Sequence, residues 1–177
     1  MNTLAGRHAL ITGGGSGIGA AIAQALAGAG AAVSLAGRRL GPLQEVAAGL
    51  PRAAAIVADV TREADVEAMV AQARAAHGPI DIVVANAGAA ESAPAGKIDM
   101  ALWDRMLAVN LTGAFLTARA ALPDVTRRGA SGYEVTPQDE GGGGAETRRG
   151  PANLRLNIRV PFDEQSVSLR SLGRAAA

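Results

Sequence analysis

Short apolar runs alternate with segments of helical periodicity over residues 1–126. Four runs predict β-strands: HALIT (8–12), AAVSLAG (31–37), AAAIVAD (53–59) and IDIVVANAG (80–88). Between and after them, apolar residues recur at intervals of three and four, which predicts four helices, the last from Met100 to about Leu122. Strands that alternate with helices predict an α/β fold, here a parallel sheet in the order 3-2-1-4 with helices on both faces.

Residues 127–177 have a different character. The run GGGG at 141–144 lies among polar and charged residues, which is typical of a flexible linker. Only residues 154–162 alternate apolar and polar side chains, which predicts one edge strand. We therefore expect a folded domain at 1–126 and an atypical tail at 127–177 that is largely irregular or disordered.

The predicted sheet is incomplete at its carboxyl-terminal side. A further βαβ unit needs about 30 residues, and the tail has the wrong composition to supply it. One edge of the fourth strand and the apolar face of the last helix should then stay open, so self-association through them is expected.

Composition narrows the classes of function. Seventeen basic and 16 acidic residues give a net charge of +1 without a basic patch, so neither nucleic acid nor membrane is expected as a partner. The absence of cysteine excludes disulfides, thiolate metal sites and a cysteine nucleophile. No stretch approaches the roughly 18 apolar residues of a membrane span, and the first residues do not form a signal peptide. We expect a soluble, cytoplasmic protein.

A glycine-rich loop, TGGGSGIG at 12–19, lies between the first strand and the first helix. Its glycines can adopt positive φ and hold no side chain against a ligand, and the amides of the helix start favour a phosphate. Because strand, loop and helix follow in the required order, we expect dinucleotide binding; a turn that only packs helix on strand is the alternative. The candidate cofactor contacts here are Gly13, Ser16, Gly17, Ile18 and Gly19.

The end of the second strand carries arginines and no acid. Dinucleotide sites usually place there an acid for the ribose hydroxyls or an arginine for a 2′-phosphate. The sequence AGRR has Arg38 and Arg39, and a guanidinium pairs with phosphate, so NADP is favoured over NAD. The alternative is a solvated pair of arginines at a helix start.

These segments together resemble the short-chain dehydrogenase/reductase family. The glycine loop matches its TGxxxGxG motif, ADV matches its aspartate after the third strand, NAG at 86–88 matches its asparagine motif, and LAVNLTGAF matches its helix asparagine. The resemblance covers roughly residues 4–129 and implies a Rossmann-like fold. It adds these candidates: Asp59, Val60, Asn86, Ala87 and Gly88 for the cofactor, and Asn110 for catalysis. Taken alone, Asp59 could be a helix-entry residue, Asn86 a turn residue and Asn110 a satisfied core amide.

The resemblance implies that the reaction is oxidation of a secondary alcohol or reduction of the corresponding carbonyl. The family's serine, tyrosine and lysine carry the proton transfer, the lysine lying four residues after the tyrosine and lowering its pKa from about 10. Here the only tyrosine, Tyr133, is followed four residues later by Pro137, and the only lysine is Lys97. The sequence therefore contains no Tyr-x-x-x-Lys pair, and Tyr133 is expected to be a loop residue.

Two functions stay open on these grounds. One is an NAD(P)-dependent oxidoreductase of which this chain is a truncated or frameshifted version. The other is a non-catalytic NAD(P)-binding or interaction module. A frameshift, a truncated gene or an artificial fusion would each produce such a tail, and the substrate is not encoded in the matched segment.

Overall fold

The computed structural model describes residues 3–91 and 94–127. The strands are β1 (His8–Thr12), β2 (Ala32–Gly37), β3 (Ala53–Val57) and β4 (Ile82–Val84). The helices are α1 (Gly17–Gly28), α2 (Leu40–Ala48), α3 (Glu63–His77), α4 (Met100–Leu107) and α5 (Gly113–Arg127). A 3₁₀ turn (Ala95–Lys97) precedes α4, and a π-helical segment (Ala108–Thr112) joins α4 to α5. The predictions for Tyr133, the glycine linker and the edge strand at 154–162 lie outside the described residues.

The four strands form one parallel sheet in the order β3-β2-β1-β4, which confirms the predicted topology. In the register, Ala9 lies opposite Val33 on one side and Ile82 on the other. Because all strands run the same way, the loops that follow them meet at one edge of the sheet, where open α/β sheets bind ligands. We call this the carboxyl edge, and the opposite one the amino edge.

Helices cover the sheet on both faces, with a hydrophobic core under each layer. On one face α1 and α2 pack through Ala23, Ala27 and Leu43. On the other, α3 and α5 pack through a larger set that includes Met69, Val70 and Leu116. Alanine recurs in both cores, since the chain has few aromatic side chains to fill the space.

Two elements differ from the sequence prediction. The strand expected at 80–88 is only three residues long, and residues 85–88 continue past it as an irregular segment at the carboxyl edge. The helix expected from Met100 to Leu122 is interrupted by the π-helical segment and continues to Arg127. Both differences lie beside the expected site.

One expectation about membranes needs correction. Within the described part of the chain, the helical stretch Met100–Val125 is long and apolar enough to span a membrane by length and composition, with a hydropathy of 1.2. Only 22% of that window is buried. Its exposed apolar side chains form a row along one side, which we call the apolar stripe: Met100, Trp103, Leu107, Leu111 and Phe115.

Candidate functional site at the carboxyl edge

The glycine loop connects β1 to α1 at the centre of the carboxyl edge. Gly13 has φ +67°, and a Cβ there would lie 2.9 Å from Asn86 Nδ2. A Cβ at Gly19 would overlap the Gly13 carbonyl oxygen, and one at Gly15 would lie 3.2 Å from Pro42 Cβ. A Cβ at Gly14 would likewise lie 3.1 Å from Leu35 Cδ2. Close packing therefore accounts for four glycines of the loop, at positions 13, 14, 15 and 19.

Gly17 is different, because packing does not explain it. It has φ +53°, and a Cβ there would meet nothing within 4 Å. The neighbouring Ile18 side chain is 74% exposed. Ser16 makes no side-chain cap, and the first turn of α1 holds no acidic residue. This turn thus opens to free space with its positive helix end uncompensated by the chain, which suits a phosphate.

A threonine and an asparagine join the ends of β1 and β4. Asn86 Nδ2 donates to the Thr12 carbonyl oxygen at 3.1 Å, and the Ala87 amide donates to Thr12 Oγ1 at 3.0 Å. The Thr12 hydroxyl in turn donates to the Val84 carbonyl oxygen at 3.4 Å. These bonds fix the irregular segment after β4 against the glycine loop. The sequence singled out Asn86 but not the role of Thr12, because the strand register that joins them is a tertiary feature.

Asn110 holds the next part of the same segment. Its Nδ2 donates to the Ala89 carbonyl oxygen at 2.8 Å, and its Oδ1 accepts from the Ala89 amide at 3.0 Å. A Cβ at Gly88 would lie 3.1 Å from Asn110 Oδ1, so glycine permits this approach. Asn110 lies in the π-helical segment, where the widened turn changes the direction of side chains relative to a regular helix. In this structure it is a satisfied amide that orders the backbone of residues 88–89.

The ends of β2 and β3 carry the charged groups of the site. Arg38 and Arg39 are exposed directly after β2. After β3, Asp59 Oδ1 accepts from the Thr61 amide at 3.0 Å and from the Thr61 hydroxyl at 2.7 Å. These two bonds lower the pKa of Asp59 below its ordinary value of 3.8, and the positive charges of Arg38 and Arg62 add to the effect. An ionised acceptor therefore stands beside a group of arginines.

Val60 and Thr61 have packing roles that the sequence did not reveal. The Val60 side chain is buried, and a Cβ at Gly113 would lie 2.7 Å from its Cγ2, so the start of α5 packs directly on this valine. The Thr61 hydroxyl donates to Asp59, and α3 begins two residues later with Arg62 as its N-cap. The side chain of Val60 is thus part of the core, and only its backbone borders the site.

The residues at the carboxyl edge fit a nicotinamide dinucleotide by the chemistry of their donors and acceptors. They provide an open helix start for phosphate, guanidinium groups after β2, an ionised carboxylate after β3, and a glycine-containing segment after β4. The described residues supply no tyrosine, and Lys97 lies exposed in the 3₁₀ turn before α4.

Comparison with known proteins agrees with this arrangement. The profile of the short chain dehydrogenase family matches residues 7–134. An uncharacterized oxidoreductase of Staphylococcus aureus strain MRSA252 is 38% identical over 147 residues, covering 77% of this chain and 64% of that protein. An oxidoreductase of Sarocladium schorii is 38% identical over 146 residues, covering 82% of this chain and 59% of its own length.

Solved structures give the same result. A short-chain type dehydrogenase/reductase from Mycobacterium marinum superposes with a TM-score of 0.69 at 39% identity, covering 74% of this chain and 55% of that one. A mutant short-chain dehydrogenase/reductase from Serratia marcescens gives 0.66 at 34% identity, covering 69% and 52%. The chain spans about half to two thirds of the length of these relatives. The chain belongs to the short chain dehydrogenase family, whose members bind NAD(P).

Proposed function

We propose that this chain binds NADP(H) at the carboxyl edge of its sheet. The open first turn of α1 at Gly17 carries this proposal, since it is the one part of the glycine loop whose geometry packing does not explain. In this proposal the pyrophosphate meets the amides at residues 16–19, and Asp59 and the backbone of Val60 border the adenine. Asn86, Ala87 and Gly88 border the nicotinamide end.

The choice of NADP over NAD rests on the charges after β2 and β3. Arg38 is exposed, and β2 ends without an acid. Arg38 and Arg62 both act electrostatically on Asp59, so the two guanidinium groups lie near the same carboxylate. A 2′-phosphate placed between them would gain charge-assisted hydrogen bonds, which are stronger than neutral ones.

For the whole protein we propose hydride transfer between this cofactor and a secondary alcohol or its carbonyl, the reaction that the family resemblance implies. When bound, the nicotinamide supplies or accepts the hydride. In this proposal the described residues hold and orient the cofactor. The side chain of Asn110 is hydrogen-bonded to the backbone of Ala89 and orders the segment beside the nicotinamide end. The proton has to come from elsewhere, because the sequence has no tyrosine with a lysine four residues later.

We therefore infer that the 177-residue chain binds the cofactor without turning over substrate. A purely non-catalytic binding or interaction module is the second candidate, and the missing tyrosine–lysine pair favours it for this polypeptide. The relatives named as oxidoreductases favour the first candidate for its origin.

The proposal extends to partners and location. The apolar stripe is exposed, with Met100 at 68% and Trp103 at 51%, and such a continuous surface favours coverage by protein. We propose a second copy of this chain as the cover, because one stripe paired with its two-fold mate buries both at once. The cytoplasm is the compartment we propose, in line with the absence of cysteine.

The direct test is isothermal titration calorimetry of the full chain with NADPH and, separately, with NADH. We expect tighter binding of NADPH, and Arg38→Asp should weaken it about ten- to hundredfold, as loss of a charge-assisted hydrogen bond predicts. Arg52→Asp is the matched control: it makes the same charge change on an exposed arginine at the amino edge. Equal affinities for both cofactors would refute the NADP preference, and binding of neither would refute the site.

A further inference from the structure

The two histidines of the chain, His8 and His77, lie in contact with each other. Their ring centroids are 5.3 Å apart with an interplanar angle of 74°, an edge-to-face arrangement. They come together because β4 pairs beside β1, so the end of α3, which precedes β4, reaches the start of β1. The pair lies at the amino edge of the sheet, opposite the proposed cofactor site.

The hydrogen bonds of His8 fit its neutral form. Its Nδ1 lies 2.9 Å from the Gly78 carbonyl oxygen, which can only accept, so Nδ1 carries the hydrogen. Its Nε2 lies 2.9 Å from Ser34 Oγ, whose hydroxyl can donate to it. Both ring nitrogens are thus satisfied with His8 neutral, although the residue is only 2% exposed.

Among the described residues, His77 lacks a hydrogen-bond acceptor for a proton on its Nε2. Its Nε2 is buried and has no hydrogen-bond partner within residues 3–91 and 94–127. Protonation of both nitrogens would place a positive charge on a ring that touches His8, in a position with no acceptor for Nε2. A buried charge without a hydrogen-bonding partner costs several kilocalories unless the group stays neutral.

The charged groups around the pair do not offset this cost. Asp81 accepts from the His8 amide and pairs with Arg7 at 3.0 Å. Asp124 of α5 pairs with Arg74 of α3 at 2.6 Å. Each carboxylate that faces the histidines from a neighbouring element thus has an arginine beside it. Arg52, which precedes β3, carries a positive charge that disfavours a second positive charge on His77.

Both histidines consequently resist protonation in the folded chain. Burial lowers the pKa of His8 below its ordinary value of 6.5, and the backbone acceptors of Gly78 and Pro79, with the negative charges of Asp81 and Asp124, counter this only in part. Burial, then His8, then Arg52 lower the pKa of His77, against a smaller opposite effect of the Val33 backbone. The unfolded chain then binds more protons than the folded chain below pH 6.5. Stability is full above that value and decreases as the pH falls toward the folded pKa values.

We propose that the His8–His77 contact is an acid-sensitive lock that joins β1, β2 and α3 at the amino edge. While both rings are neutral, they hold the start of β1 against Ser34 of β2 and the turn after α3. Proton uptake weakens this contact and so destabilises the amino edge of the sheet, where β1, β2 and the end of α3 meet. The inference does not rest on the proposed cofactor.

The lock is tested by urea unfolding of the full chain, followed by circular dichroism at several pH values. Each proton taken up on unfolding raises the unfolding equilibrium constant about tenfold per pH unit. We expect the constant to rise by up to about fivefold for each histidine between pH 6.5 and 5.5, above the range where carboxylates titrate. His77→Phe keeps a ring at the contact and should reduce the rise. A His8→Asn, His77→Phe double variant, which lacks all histidines, should remove it.

A second measurement follows the two rings directly in the unmodified chain. The two histidines give two Hε1 signals in proton NMR, and His77→Phe serves only to assign them, by leaving one. Both should titrate below pH 6.5 in the folded chain and near 6.5 in urea. Titration of either at or above 6.5 in the folded state, or an unfolding midpoint constant from pH 7.5 to 5.5, would overturn the proposal.

Discussion

At the scale of single residues, the site depends on side chains that order backbone. Asn110 is the plainest case, because both atoms of its amide bond Ala89 at 2.8 and 3.0 Å. No other described contact fixes the two backbone groups of Ala89 in this way.

Asn110→Ala should therefore destabilise the chain. It leaves a partly buried amide and carbonyl without their partner, and we expect the free energy of unfolding to decrease by about 1–2 kcal/mol. Thr112→Ala is the control, since Thr112 lies in the same π-helical segment with an exposed side chain. Denaturant unfolding measures both. Equally small decreases for the two variants would show that the hydrogen bonds to Ala89 contribute little to the free energy of unfolding.

What the sequence predicts at this scale depends on the range of the contact. Arg38 and the glycine loop are found from local spacing, because their position after a strand places them at the carboxyl edge. The bond from the Ala87 amide to Thr12 and the contact of His8 with His77 were not found. Each joins residues about 70 positions apart, and only the register of β1 against β4 brings them together.

At the scale of elements, the strand order and the helices on both faces follow from periodicity, since parallel strands between helices admit few arrangements. The interruption of the last helix at residues 108–112 does not follow from periodicity. A π-helical turn adds one residue to a helix without changing the apolar spacing enough to be recognised in the sequence. Periodicity also marks the apolar side chains of α4 and α5 without indicating which of them meet the core.

The apolar stripe gives the prediction at this scale. Trp103→Glu places a charge in the middle of the exposed row and should shift a self-associated chain toward monomer in sedimentation velocity. Ala101→Glu is the matched control, because Ala101 is exposed on α4 outside the stripe. A wild-type chain that sediments as a monomer would contradict the proposed second copy. So would its capture by phosphatidylcholine vesicles, which would assign the helix Met100–Val125 to a membrane.

At the scale of the whole molecule, the sheet of the described residues carries the proposed cofactor site, whereas the sequence lacks the tyrosine–lysine pair for proton transfer. We expect no hydride transfer with a panel of secondary alcohols and ketones, measured by cofactor absorbance. General acid–base catalysis contributes about 10²–10⁴-fold, and Tyr133 has Pro137 where a lysine would be needed. Tyr133→Phe is the control variant. Turnover that this change abolishes would establish a catalytic role for Tyr133 in a different geometry.

The position of Trp103 also determines what the intrinsic fluorescence of this protein measures. It is the only tryptophan of the chain, and it lies in the apolar stripe with half of its surface in solvent. Its fluorescence emission therefore reports whether that surface is in solvent or covered by protein. A blue shift of the emission with rising protein concentration would be an optical signal of assembly that needs no label.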